Sequence, residues 1–144
     1  FDLSKKLSIK IFRGQEDDVL ARYVGAANLT NAETLVRLTA DCPLIDPEII
    51  DKVIHVFRNS KIDYASNTNP PTFPDGLDVE VFSKKALYLA NECCKDKLDR
   101  EHVTPWLINN KDIKKKNIFN SEDLSHIRLT RAMNFTLTSN LARK

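Results

Sequence analysis

The chain has 144 residues, of which 42% are hydrophobic and 29% charged, with a formal net charge of +2. That length supports one globular domain with its own core. A balanced charge without a concentrated basic surface argues against a nucleic-acid-binding protein. We expect neither a membrane-spanning segment nor a signal peptide, because no sufficiently long apolar run is present. The three cysteines form neither a disulfide framework nor a zinc-binding spacing, and free thiols favour a reducing, cytoplasmic location.

The first part of the chain predicts a strand followed by a helix. Residues 7–13 alternate in polarity as a strand does, and Gly14 ends the run. Glu16, Asp17 and Asp18 then supply negative charge to the first turn of a helix, which stabilises its N-terminus. One face of this helix is apolar and consists of Val19, Leu20, Tyr23, Val24 and Ala27. A second strand at 34–40 completes a crossover whose length predicts two parallel strands.

The second strand leads to a candidate ligand site. Residues 34–40 are rich in Leu, Val and Thr, which predicts a buried strand. Asp41 follows where the strand should stop, because Pro43 cannot continue it. The D-P-E sequence at 46–48 then begins a helix with an N-cap acceptor and a first-turn negative charge. Asp41 therefore lies at the edge where open α/β sheets bind ligands. It can hold Mg²⁺ and through it a phosphate, or it can merely cap the turn.

The middle of the chain predicts a helix, a short strand and a long loop. The helix buries one face, made of Ile49, Ile50, Val53, Ile54 and Phe57. His55 lies off that face, so we interpret it as a surface histidine. A strand at 61–66 precedes the loop at 67–76, which contains several prolines, asparagines and aspartates. A loop of this length is often functional, so it can lie over the ligand edge or be an ordinary surface excursion.

Residues 77–82 alternate strictly and predict a half-buried strand. Leu77, Val79 and Val81 share one face, whereas Phe82 and two carboxylates share the other. Asp78 and Glu80 therefore point the same way and can share a ligand. Two adjacent carboxylates repel each other unless a cation or hydrogen-bond donors offset them. The alternative is a solvent-facing strand edge without a ligand.

Two helices and weaker strands are predicted next. Ser83 should cap a helix that buries Ala86, Leu87, Ala90, Cys93 and Cys94. Asp99 should cap a second helix that directs Val103, Trp106 and Leu107 inward, with Pro105 kinking it or marking its start. Arg100, Glu101 and His102 then fall in the first turn, beside free backbone N–H groups. Arg100 and His102 there suit an anionic substrate group, or the three residues are only capping and surface charge. Short edge strands are predicted at 117–120 and 126–130. We expect one domain over 1–130 and an irregular tail over 131–144.

Three motifs in order resemble the cytidylyltransferase family, in its spore-coat polysaccharide branch. They are D-C-P-L-I-D-P from Asp41, P-D-G-L-D-V-E-V-F-S from Pro74, and D-R-E-H-V-T-P-W from Asp99. The stretch F-R-G-Q-E-D-D-V-L-A-R-Y from Phe12 is also similar to the family. The resemblance covers residues 9–110 and extends to the synthetases of CMP-activated sialic and octulosonic acids.

The resemblance implies a three-layer, Rossmann-like nucleotidyltransferase domain with a mainly parallel sheet. It implies a reaction in which CTP activates a sugar or sugar acid with Mg²⁺ and releases pyrophosphate, in surface polysaccharide or glycan biosynthesis. Asp41 is implied as a catalytic residue and Mg²⁺ ligand, and Arg100 as a second catalytic residue. Implied substrate-binding residues are Gly76, Asp78, Glu80, Glu101 and His102. A homodimer is expected because family members are often dimers.

Two departures from the family pattern predict an incomplete or altered member. The family begins with a strand and a glycine-rich basic loop of the type A-R-x-x-S-x-R-L-P-x-K, which nothing here resembles. Its closing R-L-T-V-D-x-x-x-D is matched only by Ile127 to Thr130, and no aspartate follows. We therefore expect a fragment or a degenerate, non-catalytic member, inactive by itself. A sugar-nucleotide-dependent glycosyltransferase is the other alternative, with D-V-E at 78–80 as the nearest imitation of a D-x-D metal motif.

Overall fold

The computed structural model describes residues 2–129, within which lie six helices and four strands. In chain order these are α1 (Asp2–Lys6), α2 (Val19–Thr30), β1 (Thr34–Arg37), α3 (Pro47–Arg58), β2 (Tyr64–Ser66), β3 (Glu80–Ser83), α4 (Lys84–Cys93), α5 (Lys97–His102), α6 (Pro105–Asn109) and β4 (Lys115–Asn117). No helix in this part of the chain combines the length and apolar character needed to cross a membrane.

The four strands form one sheet in the order β1–β3–β2–β4. Strand β2 runs antiparallel to β3, with Tyr64 opposite Phe82, and parallel to β4, with Tyr64 opposite Lys115. The α/β class expected from the sequence is confirmed. The expected mainly parallel sheet is seen only in part, because β3 reverses direction beside β2.

The described residues divide into two compact units, 2–35 with 83–113 and 36–82 with 114–129. The first unit is helical: α2 packs on α4 and α5, and α6 packs on the same two helices. Leu20 of α2, Leu87 of α4 and Leu107 of α6 are fully buried. Each of these leucines lies on the apolar face of its helix, so its burial removes apolar surface from water and stabilises the packed helices.

Side-chain caps set the helix boundaries in the first unit. The Asp18 carboxylate accepts a hydrogen bond from the backbone N–H of Ala21 at 2.9 Å and begins α2. The acids at 16–18 therefore precede the first turn of α2, and the prediction that they lie within it is wrong. Asn31 ends α2 in the left-handed conformation at φ 53°, which asparagine tolerates better than most residues. The predicted cap at Ser83 is confirmed, because its hydroxyl accepts a hydrogen bond from the N–H of Ala86.

The second unit holds the core that α3 forms with β2 and the residues around β3. This core contains the buried side chains of Ile49, Val53, Ala65, Phe73, Val79 and Val81. The predicted buried face of α3 is confirmed, since its other three members pack partly buried against the same cluster. Asp46 caps this helix as predicted, accepting from the N–H of Glu48 at 2.8 Å, and His55 is exposed.

The predicted strand at 7–13 is wrong. These residues form a turn and irregular backbone, and Ile9, Ile11 and Phe12 are 42–58% exposed. Phe12 instead lies against α2, because a side chain at Gly25 would overlap its ring. Alternating polarity suits a strand, but a strand also needs a neighbour to hydrogen-bond with, and none in the described residues pairs here. The predicted parallel pair with 34–40 is therefore also absent.

The other strands differ from prediction in length and burial. Strand β1 covers only the first part of 34–40, and the predicted burial holds for Leu35 but not for Val36, which is 37% exposed on the opposite face. Strand β3 begins at Glu80, and both of its faces are buried rather than one. The strand predicted at 117–120 is displaced towards the N-terminus, because β4 covers Lys115–Asn117 and shares only Asn117 with it. Within 126–129 only Arg128 bridges, to Asp75, and the predicted tail at 131–144 lies outside the described residues.

The helix predicted to start at Asp99 begins earlier. Asp96 is the N-cap of α5 and accepts from the N–H of Asp99 at 3.0 Å. Arg100, Glu101 and His102 therefore lie in the second half of α5 rather than in its first turn. Pro105 marks the start of α6, one of the two outcomes that the sequence left open.

The two adjacent cysteines differ in burial. Cys94 is 2% exposed in the first unit, as predicted, but Cys93 is exposed. Consecutive residues on a helix point about 100° apart, so both cannot face the same core. The prediction that both belong to the core is therefore wrong for Cys93.

Candidate active site

Asp41 lies in the turn after β1, on the exposed surface of the second unit. The Thr39 hydroxyl donates to the Cys42 sulfur at 3.0 Å, and Cys42 lies 3.7 Å from an Asp41 oxygen. Hydrogen bonding from the Thr39 side chain, and then from its own backbone N–H, lowers the pKa of Asp41. The Asp41 side chain is therefore an exposed, ionised carboxylate at neutral pH.

Asp78 is half-buried, two residues before β3. Burial raises the pKa of Asp78, and the negative charges of Asp75 and Glu80 raise it further. Arg37 acts in the opposite direction, and the charge of Asp41 adds a smaller upward contribution. Asp41 and Asp78 thus belong to one group of mutually interacting charges, in which negative charge is in excess.

Glu80 is the buried member of this group, with 5% of its surface exposed. One of its oxygens accepts a hydrogen bond from the Tyr64 hydroxyl at 2.6 Å. The other accepts from Arg37 Nη1 at 2.5 Å, in an ion pair. Burying a carboxylate is costly unless it is paired and hydrogen-bonded, and these two side chains meet both needs.

The loop at 67–76 is held in place by asparagine side chains. The buried Asn67 amide donates to the Leu77 carbonyl and accepts from the Val79 N–H, each at 2.8 Å, so it replaces a missing strand neighbour before β3. Asn117 of β4 donates to the Pro70 carbonyl at 2.9 Å, across a loop whose Asn69–Pro70 peptide bond is cis. The loop is therefore an ordered part of the second unit.

A cavity of about 320 Å³ opens beside this loop. Its lining combines carboxylates, hydroxyls and apolar groups: Thr68, Pro71, Phe73, Asp75, Asp78 and Ser125. Gly76, buried next to this lining, has φ 107°, a conformation that side-chain-bearing residues rarely adopt. Asp75 is tied at the same place, because Arg128 Nε donates to its carboxylate at 2.8 Å.

Arg100 lies in the first unit, where other residues engage all five of its N–H donors. Its Nε and Nη2 bind the Asp18 carboxylate at 3.0 and 2.8 Å. The remaining donors reach the carbonyls of Asn91 and Cys94 and the side chain of Asn91. Burial alone would raise the pKa of Asp18, but hydrogen bonds from Arg100 and Ala21 outweigh it and lower the pKa. Arg100 thus joins the start of α2 to the end of α4.

The predicted site residues fall into two groups. Asp41, Gly76, Asp78 and Glu80 belong to the second unit, and the charges of its three acids interact. Arg100 belongs to the first unit together with Glu101 and His102, both of which are exposed there.

Sequence reasoning did not single out Arg37, Tyr64 or Asp75. One signal pointed to Arg37: it lies two residues after the buried Leu35, so both share a face of β1. A charged residue on a buried face needs a partner. No pattern within the sequence identified Glu80 as that partner.

Within residues 2–129, no group of three or more His, Cys, Asp or Glu side chains is arranged to hold a metal ion. A cation such as Mg²⁺ does not require such a cage, since it is usually bound by one or two carboxylates, water and substrate phosphates. The exposed Asp41 carboxylate beside an excess of negative charge fits that kind of binding.

Comparison with known proteins gives a consistent family assignment. The family model described as cytidylyltransferase matches residues 2–139. The uncharacterized protein MJ1063 of Methanocaldococcus jannaschii is 38% identical over 112 residues, covering 78% of this chain and 45% of that protein. The Bacillus subtilis spore coat polysaccharide biosynthesis protein SpsF is 31% identical over 106 residues, covering 72% of this chain and 42% of SpsF. The chain thus spans less than half the length of these two relatives.

A solved structure shares the fold. The structure of a cytidylyltransferase from Leptospira borgpetersenii matches with a TM-score of 0.83 and 34% identity. The match covers 90% of this chain and 56% of that one. With a family model over nearly the whole sequence and this structural match, the chain belongs to the cytidylyltransferase family.

Proposed function

We propose that the complete protein is a Mg²⁺-dependent cytidylyltransferase that activates a sugar with CTP. A sugar hydroxyl oxygen bonds to the α-phosphorus of CTP, the bond from that phosphorus to the leaving pyrophosphate breaks, and the hydroxyl proton is lost to solvent. The observation that carries the proposal is the grouping of Asp41 and Asp78 in one unit of a cytidylyltransferase fold. Such an enzyme works mainly by positioning its reactants and offsetting phosphate charge.

Asp41 is the residue proposed to hold Mg²⁺. Its lowered pKa keeps the carboxylate ionised, and its exposure leaves oxygens available to a cation. When bound, Mg²⁺ would offset the charge of the nucleotide phosphates. Asp41 lies in the turn between β1 and α3, where the Cys42 N–H donates to the Thr39 carbonyl at 3.2 Å.

Asp78 and the neighbouring cavity are proposed to bind the sugar. The cavity offers hydroxyl and carboxylate groups that can hydrogen-bond to sugar hydroxyls, and the Phe73 ring gives an apolar wall. Gly76 lets the backbone turn beside this lining, which supports its predicted substrate-binding role. The proposed substrates include both neutral sugars and sugar acids.

The binding of anionic groups by Arg100 and His102, and that of substrate by Glu101, stay predictions from the family resemblance. Exposure leaves His102 and Glu101 open to a ligand. Arg100 has its donors engaged by Asp18, Asn91 and Cys94, so we propose that it acts by holding its segment in place.

The biological setting is proposed from the relatives. SpsF is named for spore coat polysaccharide biosynthesis, which supports a surface polysaccharide pathway for this chain as well. Its three free cysteines suit a reducing cytoplasm. A homodimer is proposed on the family resemblance alone.

The decisive experiment is a pyrophosphate-release assay on the complete natural protein with CTP, Mg²⁺ and a panel of neutral, amino and acidic sugars. Asp41→Asn should abolish release, whereas Asp51→Asn, on the exposed surface of α3, should leave it unchanged. Equal release by Asp41→Asn and the parent would exclude the metal role. CTP with Mg²⁺ at 100 times its Kd should also stabilise the fold by about 2.7 kcal/mol. No release and no stabilisation would instead favour a non-catalytic protein.

A further inference from the structure

Glu80 is a buried carboxylate that two hydrogen bonds hold in one position inside the second unit. Its two oxygens accept from Tyr64 at 2.6 Å and from Arg37 at 2.5 Å, and only 5% of its surface is exposed. A carboxylate so buried cannot rotate away from its partners without losing the hydrogen bonds that compensate its charge. It therefore fixes the position of whatever group it binds.

Tyr64 holds the Glu80 carboxylate in one orientation. The ring is 2% exposed in β2, and burial, followed by the adjacent Glu80 charge, raises the pKa of Tyr64 far above its ordinary value. The hydroxyl consequently stays protonated at neutral pH and donates to Glu80. One Glu80 oxygen is thus occupied by the hydrogen bond from Tyr64, and the other accepts from Arg37.

Arg37 has N–H donors that the ion pair with Glu80 does not use. It is the last residue of β1, and one of its five N–H groups is used by Glu80. No acceptor within residues 2–129 takes a hydrogen bond from its Nε or Nη2, although 21% of its side chain is exposed. Its positive charge helps to lower the pKa of Asp41 and, at Asp78, opposes the burial and neighbouring charges that raise the pKa. The guanidinium therefore interacts with the carboxylates of the site, and its Nε and Nη2 donors remain available to a ligand.

We propose that Arg37 is a further catalytic residue that binds a phosphate oxygen of the nucleotide, with Glu80 and Tyr64 as its positioning residues. This rests on the proposed function. The planar guanidinium matches phosphate geometry with two parallel donors, which a lysine cannot reproduce. Because Glu80 already orients the group, binding a phosphate requires little reorganisation, which is the condition under which electrostatic stabilisation is most effective. Glu80 then acts through Arg37 and does not itself bind the sugar.

The test compares Arg37→Lys with Arg58→Lys, a matched change on the exposed last turn of α3. Lysine keeps a positive charge for Glu80, so the variant should fold, which a melting curve checks. If it does not fold, Arg37→Gln with Glu80→Gln removes both charges together and takes its place. Arg37→Lys should lower kcat/KM for CTP at least tenfold and weaken binding of magnesium pyrophosphate at least tenfold. Arg58→Lys should change both by less than twofold.

Tyr64→Phe tests the positioning role. It should lower kcat/KM for CTP by less than Arg37→Lys does, and should add no further loss in the Arg37→Lys background, because both changes act on one phosphate contact. Additive losses would show that Tyr64 acts by another route and would overturn the positioning role.

The outcomes separate this inference from the proposed function. If Asp41→Asn loses activity while Arg37→Lys stays within twofold of the parent, the enzyme proposal stands and the Arg37 proposal is overturned. If the parent releases no pyrophosphate with any sugar, the enzyme proposal fails, and pyrophosphate binding decides the role of Arg37. Tenfold weaker binding by Arg37→Lys would then still support a phosphate contact. Equal affinity, or no binding by the parent, would overturn it.

Discussion

Replacing Glu80 by glutamine should destabilise the protein strongly, although the two side chains have the same shape. Glutamine has one acceptor oxygen where glutamate has two. Either Tyr64, 2.6 Å from one oxygen, or Arg37, 2.5 Å from the other, must then face an amide N–H₂ group. Hydrogen bonds to charged groups contribute about 1.5–3 kcal/mol each, and a buried donor left unpaired costs about 1–3 kcal/mol. We expect Glu80→Gln to lower the free energy of unfolding by about 3 kcal/mol, since the partly exposed Arg37 recovers some hydration.

Urea unfolding followed by circular dichroism measures this loss. The midpoint should fall while the slope stays unchanged, because the mutation alters no large surface. Tyr64→Phe should cost less, about 1–2 kcal/mol, because only one hydrogen bond is removed. The double variant should lose less than the sum of the two single variants, since both changes break the same contact. Glu122→Gln is the control, because Glu122 is exposed and should change stability by no more than about 0.5 kcal/mol. A Glu80→Gln loss no larger than that of the control would refute the view that Glu80 is an engaged, buried carboxylate.

Three further predictions concern other side chains. Burial and neighbouring charge raise the pKa of Asp78, so the folded protein holds this proton more tightly than the unfolded chain. The stability that the protonated Asp78 carboxyl contributes is present at low pH and is lost as the pH rises through its folded pKa. Asp78→Asn should therefore raise the melting temperature at pH 7. This gain should vanish as the pH falls to the ordinary pKa of an aspartate, 3.8. An equal gain at both pH values would contradict this assignment. Asn67→Ala should cost about 2–4 kcal/mol, because it leaves two backbone groups without partners, and a urea midpoint matching that of the parent would count against it. A thiol reagent should label Cys93 rapidly in the folded protein, while the buried Cys42 and Cys94, whose pKa values are raised by burial, react only on unfolding. Rapid labelling of a second thiol would disagree with the burial found here.

Local sequence signals determined the helices α2 and α3 and the position of Asp41. An acceptor, a proline and a first-turn acid fix where α3 begins, and hydrophobic spacing fixes which face it buries. Helix hydrogen bonds join residues four apart, so the information lies within a short stretch of sequence. The turn that carries Asp41 lies between the end of β1 at Arg37 and the cap that starts α3, and Pro43 prevents a strand from continuing through this segment. Three ordered motifs likewise sufficed to predict the family, which the comparisons confirm.

The tertiary structure alone decided which strands form and which charges meet. Residues 7–13 have the alternation of a strand but find no pairing partner among the described residues, because strand hydrogen bonds come from distant segments. The contact between Arg37 and Glu80 joins residues 43 positions apart, and that between Arg100 and Asp18 joins residues 82 apart. No local pattern encodes such pairs, since each side chain alone is simply a charge that needs a partner. Which partner it finds, and so whether it binds substrate or anchors the fold, depends on how the sheet and helices pack.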